Sequence, residues 1–170
     1  MTLYYLDASA LVKHYIFEPG STWVSELLEA RSPDSLSRAN LVFISDASIA
    51  ECAAAFAVLH RVQRISRRAR DGAFRACMQD IAGGLLNTIP LVTADFEMAA
   101  YLTQSHPLKA YDAVQLAVAL RRSRALAIHE VQFTFVSGDS ALNAAAQAEG
   151  LLTDNPFDHV SPQDPPTPSQ

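Results

Sequence analysis

No uninterrupted apolar stretch in this 170-residue chain approaches the ~18 residues that a membrane span requires. The N-terminus has no basic region followed by an apolar run and a cleavage site, so no secretory leader is expected and the cytoplasm is the expected location. There are two cysteines, Cys52 and Cys77, at no metal-ligand spacing. That excludes a disulfide framework and a thiolate metal site, and leaves buried free thiols in a reducing compartment. The histidines (His14, His60, His106, His129 and His159) share no metal-binding spacing. No GxxxxGK[ST] phosphate loop, GxGxxG turn or GxSxG elbow occurs. A net charge of −5 excludes general coating of nucleic acid, though not a local basic face.

What the chain does have is an alternation of apolar runs and amphipathic stretches. TLYYL (2–6) reads as a first strand and SALVKHYI as a helix stopped by Pro19 and Gly20. A second short helix covers 21–30, a loop 31–40 and a second strand 41–45. Asp46 to about Arg64 is a long helix capped by Ser45 or Asp46, and Ser66 opens another that ends near Ala82. TIPLVT (88–93) reads as a strand, 94–105 as a helix and 110–124 as a helix with Ala113, Leu116, Ala117 and Leu120 toward the core. QFTFVS (132–137) is a strand, 139–149 a helix, and Leu151 and Leu152 a short edge strand. The last ten residues, SPQDPPTPSQ, hold four of the nine prolines and read as an irregular, mobile tail. The expected architecture is a single α/β domain over 1–154, with a mostly parallel central sheet and helices on both faces, followed by a Pro-rich tail at 155–170.

Four acids stand out in that frame: Asp7, Glu51, Asp112 and Asp139. Asp7 and Asp139 follow strand-like runs, so both fall on the carboxyl rim of the sheet, where such folds place their sites. Glu51 lies less than two helical turns beyond the second strand. Each has an ordinary structural role open to it. Asp7 and Asp139 suit helix caps, and Asp112 suits the positive end of a helix dipole. Glu51 is the hardest to place so, because its neighbours Ala50, Cys52, Ala53 and Ala54 offer it no partner. If the four converge, two charges 4 Å apart repel by roughly 4 kcal/mol at an effective dielectric of 20. Such a group either takes up protons or binds a hard cation such as Mg²⁺ or Mn²⁺. Paired ions of that kind activate water against a phosphodiester. A phosphoaspartyl phosphatase would need an acid two residues after Asp7, where this chain has Ser9.

Together the motifs YLDASALVKHY, ISDASIAECAAAF, LKAYDAVQLAVAL and FVSGDSALNAAAQAEGL resemble a PIN-domain ribonuclease, and within that family the VapC-like toxins of toxin–antitoxin pairs. The resemblance runs in order over residues 3–151. It implies a PIN-like fold and Mg²⁺-dependent cleavage of RNA with a metal-activated water, Mn²⁺ being an alternative ion. It implies Asp7, Glu51, Asp112 and Asp139 as the catalytic, metal-holding acids, with Ser9 and Ser137 in support. It also implies a homodimer and a small antitoxin protein that blocks the site, often with an arginine. The alternative reading is a catalytically inactive PIN-like module that binds RNA or regulates.

Arg61, Arg64, Arg67, Arg68, Arg70 and Arg75 cluster along the chain. They form either a solvated face or a phosphate track toward the acids. In the second case Arg64, Arg68 and Arg75 contact RNA, and Lys13 joins them.

Overall fold

The computed structural model describes residues 2–33 and 37–166; the middle of the 31–40 loop and the last four residues of the expected tail lie outside them. Within these residues five strands form one sheet: β1 (Thr2–Leu6), β2 (Asn40–Ser45), β3 (Leu86–Ile89), β4 (Thr134–Val136) and β5 (Leu152–Asp154). Their order is β3-β2-β1-β4-β5, with every pairing parallel. The chain builds outward from β1 in one direction and then returns to its other edge with β4. The β1/β4 boundary is therefore the topological switch point, beyond whose carboxyl end such sheets form their clefts.

Among the described residues, seven helices cover the two faces: α1 (Ala8–Tyr15), α2 (Ser21–Glu29), α3 (Asp46–Arg61), α4 (Arg67–Ala82), α5 (Thr93–Ser105), α6 (Ala110–Ala127) and α7 (Ser140–Ala148). Alternation along the strands divides the core in two. Leu6, Val42, Ile44 and Val136 point to the face under α1–α4, where they meet Leu11, Leu28 and Phe56. Tyr5, Phe43 and Phe135 point to the opposite face and pack on Leu116, Val118 and Leu142 of α6 and α7. Helix α6 is buried on every side from Ala113 to Leu120.

Side-chain caps set the starts of several helices. Ser45 opens α3 and Ser66 opens α4, their hydroxyls accepting from Ser48 N and Ala69 N. The third strand lies at 86–89 and not at 88–93. Pro90 has no N–H to give a ladder, and Val92 N is already taken by Asp95 Oδ2 at 2.9 Å at the start of α5. Cys52 and Cys77 are buried free thiols. No described helix is long and apolar enough to cross a membrane.

The described part of the tail is better organised than its composition suggested. Residues Pro156–His159 form a 3-10 turn, and Pro156 is buried. The Asp164 carboxylate accepts from Gly20 N, Thr22 N and Thr22 Oγ1 at 2.7–3.0 Å, and from Ser161 N at 2.9 Å. Trp23 stacks on His159 with centroids 4.3 Å apart. Proline content sets backbone stiffness, but here one carboxylate and one ring fasten the segment to the start of α2.

Candidate active site

The four acids arrive from four separate places. Asp7 is the residue between β1 and α1, Glu51 lies in the second turn of α3, Asp112 in the first turn of α6, and Asp139 between β4 and α7. All four line one cleft of about 470 Å³. Its other lining residues include Ser9, Lys13, Glu18, Val58, Leu59, Gly138 and Phe157.

Asp7 is 5% exposed and heavily bonded. Ser9 Oγ lies 2.8 and 2.9 Å from its two oxygens, Ser137 Oγ donates to Oδ2 at 2.9 Å, and Ala10 N to Oδ1 at 2.9 Å. Ser9 and Ser137 thus both support Asp7, and each also takes a backbone N–H, from Gly138 and Asp139 respectively. Burial nevertheless raises the Asp7 pKa to about 6, with the Glu51 charge adding to it and these hydrogen bonds opposing it. Asp7 is also the cap of α1, so its capping role and its place in the cleft coexist.

Glu51 is half-buried, and burial raises its pKa, opposed by a hydrogen bond from Gln115 and reinforced by the Asp112 charge. Asp112 is raised by burial and then by the Asp139 charge. The influences run Asp7–Glu51, Glu51–Asp112 and Asp112–Asp139, so the acids form an electrostatic chain. Asp139 Oδ1 accepts from Ala141 N at 2.8 Å and Leu142 N at 3.0 Å, so half of this carboxylate serves as the cap of α7.

Gln115 was not singled out by sequence reasoning. It is 1% exposed, inside the apolar run AVQLAVAL. Its Oε1 accepts from Tyr5 Oη at 2.7 Å and Ser45 Oγ at 3.0 Å. Its Nε2 donates to Ser48 Oγ at 2.9 Å and to Glu51 Oε2. A polar side chain so placed must be satisfied internally, and here its satisfaction orients Glu51. The lone amide in an otherwise apolar helical run was the available signal.

The cleft's cation is not free. Lys13 is 2% exposed, and its Nζ donates to Glu18 Oε1 and the Pro19 carbonyl, each at 2.9 Å. The ammonium also sits 3.8 Å from the Phe157 ring centroid. Burial of its charge is thus matched by these partners. Arg64 lies in the exposed turn before α4, while Arg68 and Arg75 border a shallow depression on α4 with Arg67, Asp71 and Gly72. None of these arginines lines the acidic cleft. Asp71 pairs with Arg70 at 2.6 Å.

A sequence model of the PIN domain matches residues 4–147. The chain belongs to the PIN-domain family. Among solved structures it is similar to PAE2754 from Pyrobaculum aerophilum, at 15% identity and a TM-score of 0.57 over 93% of this chain and 85% of that one. It is also similar to VapC20 of Mycobacterium tuberculosis, a Sarcin-Ricin loop cleaving toxin, at 16% identity and a TM-score of 0.55 over 84% and 94%. A toxin–antitoxin complex from Klebsiella pneumoniae matches at 18% identity and a TM-score of 0.50 over 92% and 98%. No curated protein sequence matches.

The PIN frame makes a divalent cation the group to test against these residues. Every polar side-chain donor offered by the described cleft lining, Lys13 apart, is a carboxylate or hydroxyl oxygen, with no imidazole or thiol. That set suits a hard ion. Among the described residues, no three His, Cys, Asp or Glu side chains stand close enough to form a ready-made metal cluster. The donor chemistry fits a divalent ion such as Mg²⁺, which takes one or two carboxylates directly and keeps water on its remaining positions.

Proposed function

We propose that this PIN-domain chain is a divalent-metal-dependent endoribonuclease and the toxin of a toxin–antitoxin pair. The observation that carries this reading is the charge balance of the cleft. Five carboxylates line it, those of Asp7, Glu18, Glu51, Asp112 and Asp139, against one ammonium already committed to Glu18. A polyanion does not enter such a cleft unless cations enter with it.

Asp7, Glu51 and Asp112 would hold the principal ion, Mg²⁺ or Mn²⁺, and Asp139 would complete the site with the oxygen not spent on its cap. When bound, the ion supplies charge compensation for the phosphodiester and lowers the pKa of the attacking water. The chain's part is positional and electrostatic. Ser9 and Ser137 fix both oxygens of Asp7, Gln115 fixes Glu51, and a carboxylate of the four takes the proton that the water loses. Attack at phosphorus then needs no protein nucleophile. The likeness to a toxin–antitoxin complex and to an RNA-cleaving toxin supports RNA as substrate and a small antitoxin protein as partner. A homodimer belongs to the same reading, and sedimentation of the purified chain tests it.

The test is cleavage of labelled single-stranded RNA by purified protein with Mg²⁺, with Mn²⁺ and with EDTA. Cleavage should require the ion and be lost in Asp7→Asn and Asp112→Asn proteins that remain folded. Wild-type rates from either variant would sink the assignment. RNA binding without cleavage under every metal condition would instead assign an inactive binding module.

A further inference from the structure

Phe157 is the only aromatic among the described residues that line the acidic cleft, and it is 44% exposed. Exposed phenylalanines are ordinary on surfaces. This one stands on a backbone fastened at both ends. Its own N–H is donated to Asn155 Oδ1 at 3.0 Å. Pro156 packs so closely on Gly20 that a Cβ there would lie 2.5 Å from the Pro156 carbonyl oxygen. Beyond the ring, the Trp23–His159 stack and the four bonds to Asp164 secure the rest of the segment.

The ring stands next to the catalytic acids. A Cβ on Gly138, the residue before Asp139, would be 3.3 Å from Phe157 Cε2. Ala55, Val58 and Leu59 of α3 line the same cleft. Lys13, the single ammonium of the cleft lining, is committed, so phosphate attraction by a free cation is not what the cleft offers beside its carboxylates. It offers apolar surface and the partly exposed Phe157 ring, which has the Lys13 ammonium over one face.

We propose that Phe157 is a base-stacking subsite, receiving a nucleobase that flanks the phosphodiester presented to Asp7, Glu51, Asp112 and Asp139. The inference rests on the ribonuclease reading above. Single-stranded RNA is recognised through bases stacked on aromatic side chains, and stacking tolerates any base because each has a π face. The C-terminal segment is then a working wall of the cleft.

Phe157 also covers the Lys13 ammonium, so the experiment must separate covering from stacking. Affinity for a short single-stranded RNA is measured by fluorescence anisotropy on the full-length Asp7→Asn protein in Mg²⁺, with Phe157, Phe157→Leu and Phe157→Tyr. Stacking predicts that Phe157→Leu weakens binding about tenfold or more and that Phe157→Tyr retains it. An abasic nucleotide scanned along the RNA should reproduce the loss at one position, and add nothing there in the Phe157→Leu protein. The comparison is repeated with Lys13→Met and Glu18→Gln present, where the ring has no cation to cover; the loss should persist. Equal affinities for Phe157 and Phe157→Leu, or a loss that vanishes in that background, overturn the subsite. Wild-type cleavage unaffected by Phe157→Leu overturns the subsite alone. A wild-type protein that neither cleaves nor binds RNA overturns the ribonuclease reading and the subsite with it.

Discussion

Gln115 of α6 donates to Glu51 of α3 through the same amide that accepts from Tyr5 of β1, so a cleft carboxylate is held from inside the protein. Replacing this amide strands partners on three elements. Gln115→Leu leaves the Tyr5 and Ser48 hydroxyls without this partner and Glu51 without its anchor. We expect a loss of about 2–4 kcal/mol in urea unfolding. RNA cleavage should fall roughly 10–100-fold, as for other partners that orient metal-holding groups. A stability loss with unchanged turnover would reduce Gln115 to a core residue.

Burial holds the Asp7 carboxyl at about 6, above its ordinary 3.8. In metal-free protein the folded state therefore binds this proton more tightly than the unfolded chain does. The associated stability is complete below about pH 4 and is lost as pH rises to about 6. In EDTA, Asp7→Asn should match the wild type near pH 4 and exceed it at pH 7, by roughly 2–3 kcal/mol at most. Denaturant titrations of both proteins between pH 4 and 8 test this, and a wild type that gains on the variant with rising pH contradicts it.

Asp164 behaves in the opposite sense. Burial pushes its carboxyl up, but hydrogen bonds from Ser161, Thr22 and Gly20 outweigh that and hold it down at about 2. The stability it contributes is present above about pH 4 and fades as pH falls toward 2. Asp164→Ala should cost about 1–2 kcal/mol at pH 7 and change the emission of Trp23, which reports the His159 stack. Gly20→Ala should act on the same segment by sterics, since Gly20 has φ +86° as well as the close Pro156 contact. Unchanged emission in both variants would show that neither residue holds the segment.

The arginines in and just before α4 carry a separate expectation. If Arg64, Arg68 and Arg75 contact RNA phosphates, the triple alanine protein should bind RNA with a shallower salt dependence, by about 0.7 in log–log slope per lost contact. An unchanged slope assigns these arginines to a solvated face.

Much of this molecule is legible in its sequence because the relevant signals are local. Asp7 and Asp139 follow apolar runs directly, and Ser45 and Ser66 announce their helices. Strand β3 was misplaced because TIPLVT looks apolar throughout, while Pro90 denies the ladder a donor. Gln115 stayed hidden because Tyr5, Ser45, Ser48 and Glu51 reach it from β1, the end of β2 and α3, and no window of sequence contains them together. The burial of Lys13 against Glu18 and Pro19 was equally hidden, because it depends on how α1 and the turn after it fold together. The order of the C-terminal segment depends on Asp164 meeting Gly20 and Thr22, more than 140 residues away, which composition does not encode.

The strand order β3-β2-β1-β4-β5 also sets a timetable. As the chain is made from its N-terminus, β1, β2 and β3 with α1–α4 can assemble while one edge of β1 stays vacant. That edge is filled only after Thr134 has been synthesised, and the same late stretch brings Ser137 and Asp139 to Asp7. In the nascent protein Asp7 and Glu51 can therefore be in place while the cleft still lacks Asp112 and Asp139, and it closes only once the β4–α7 stretch joins the free edge of β1.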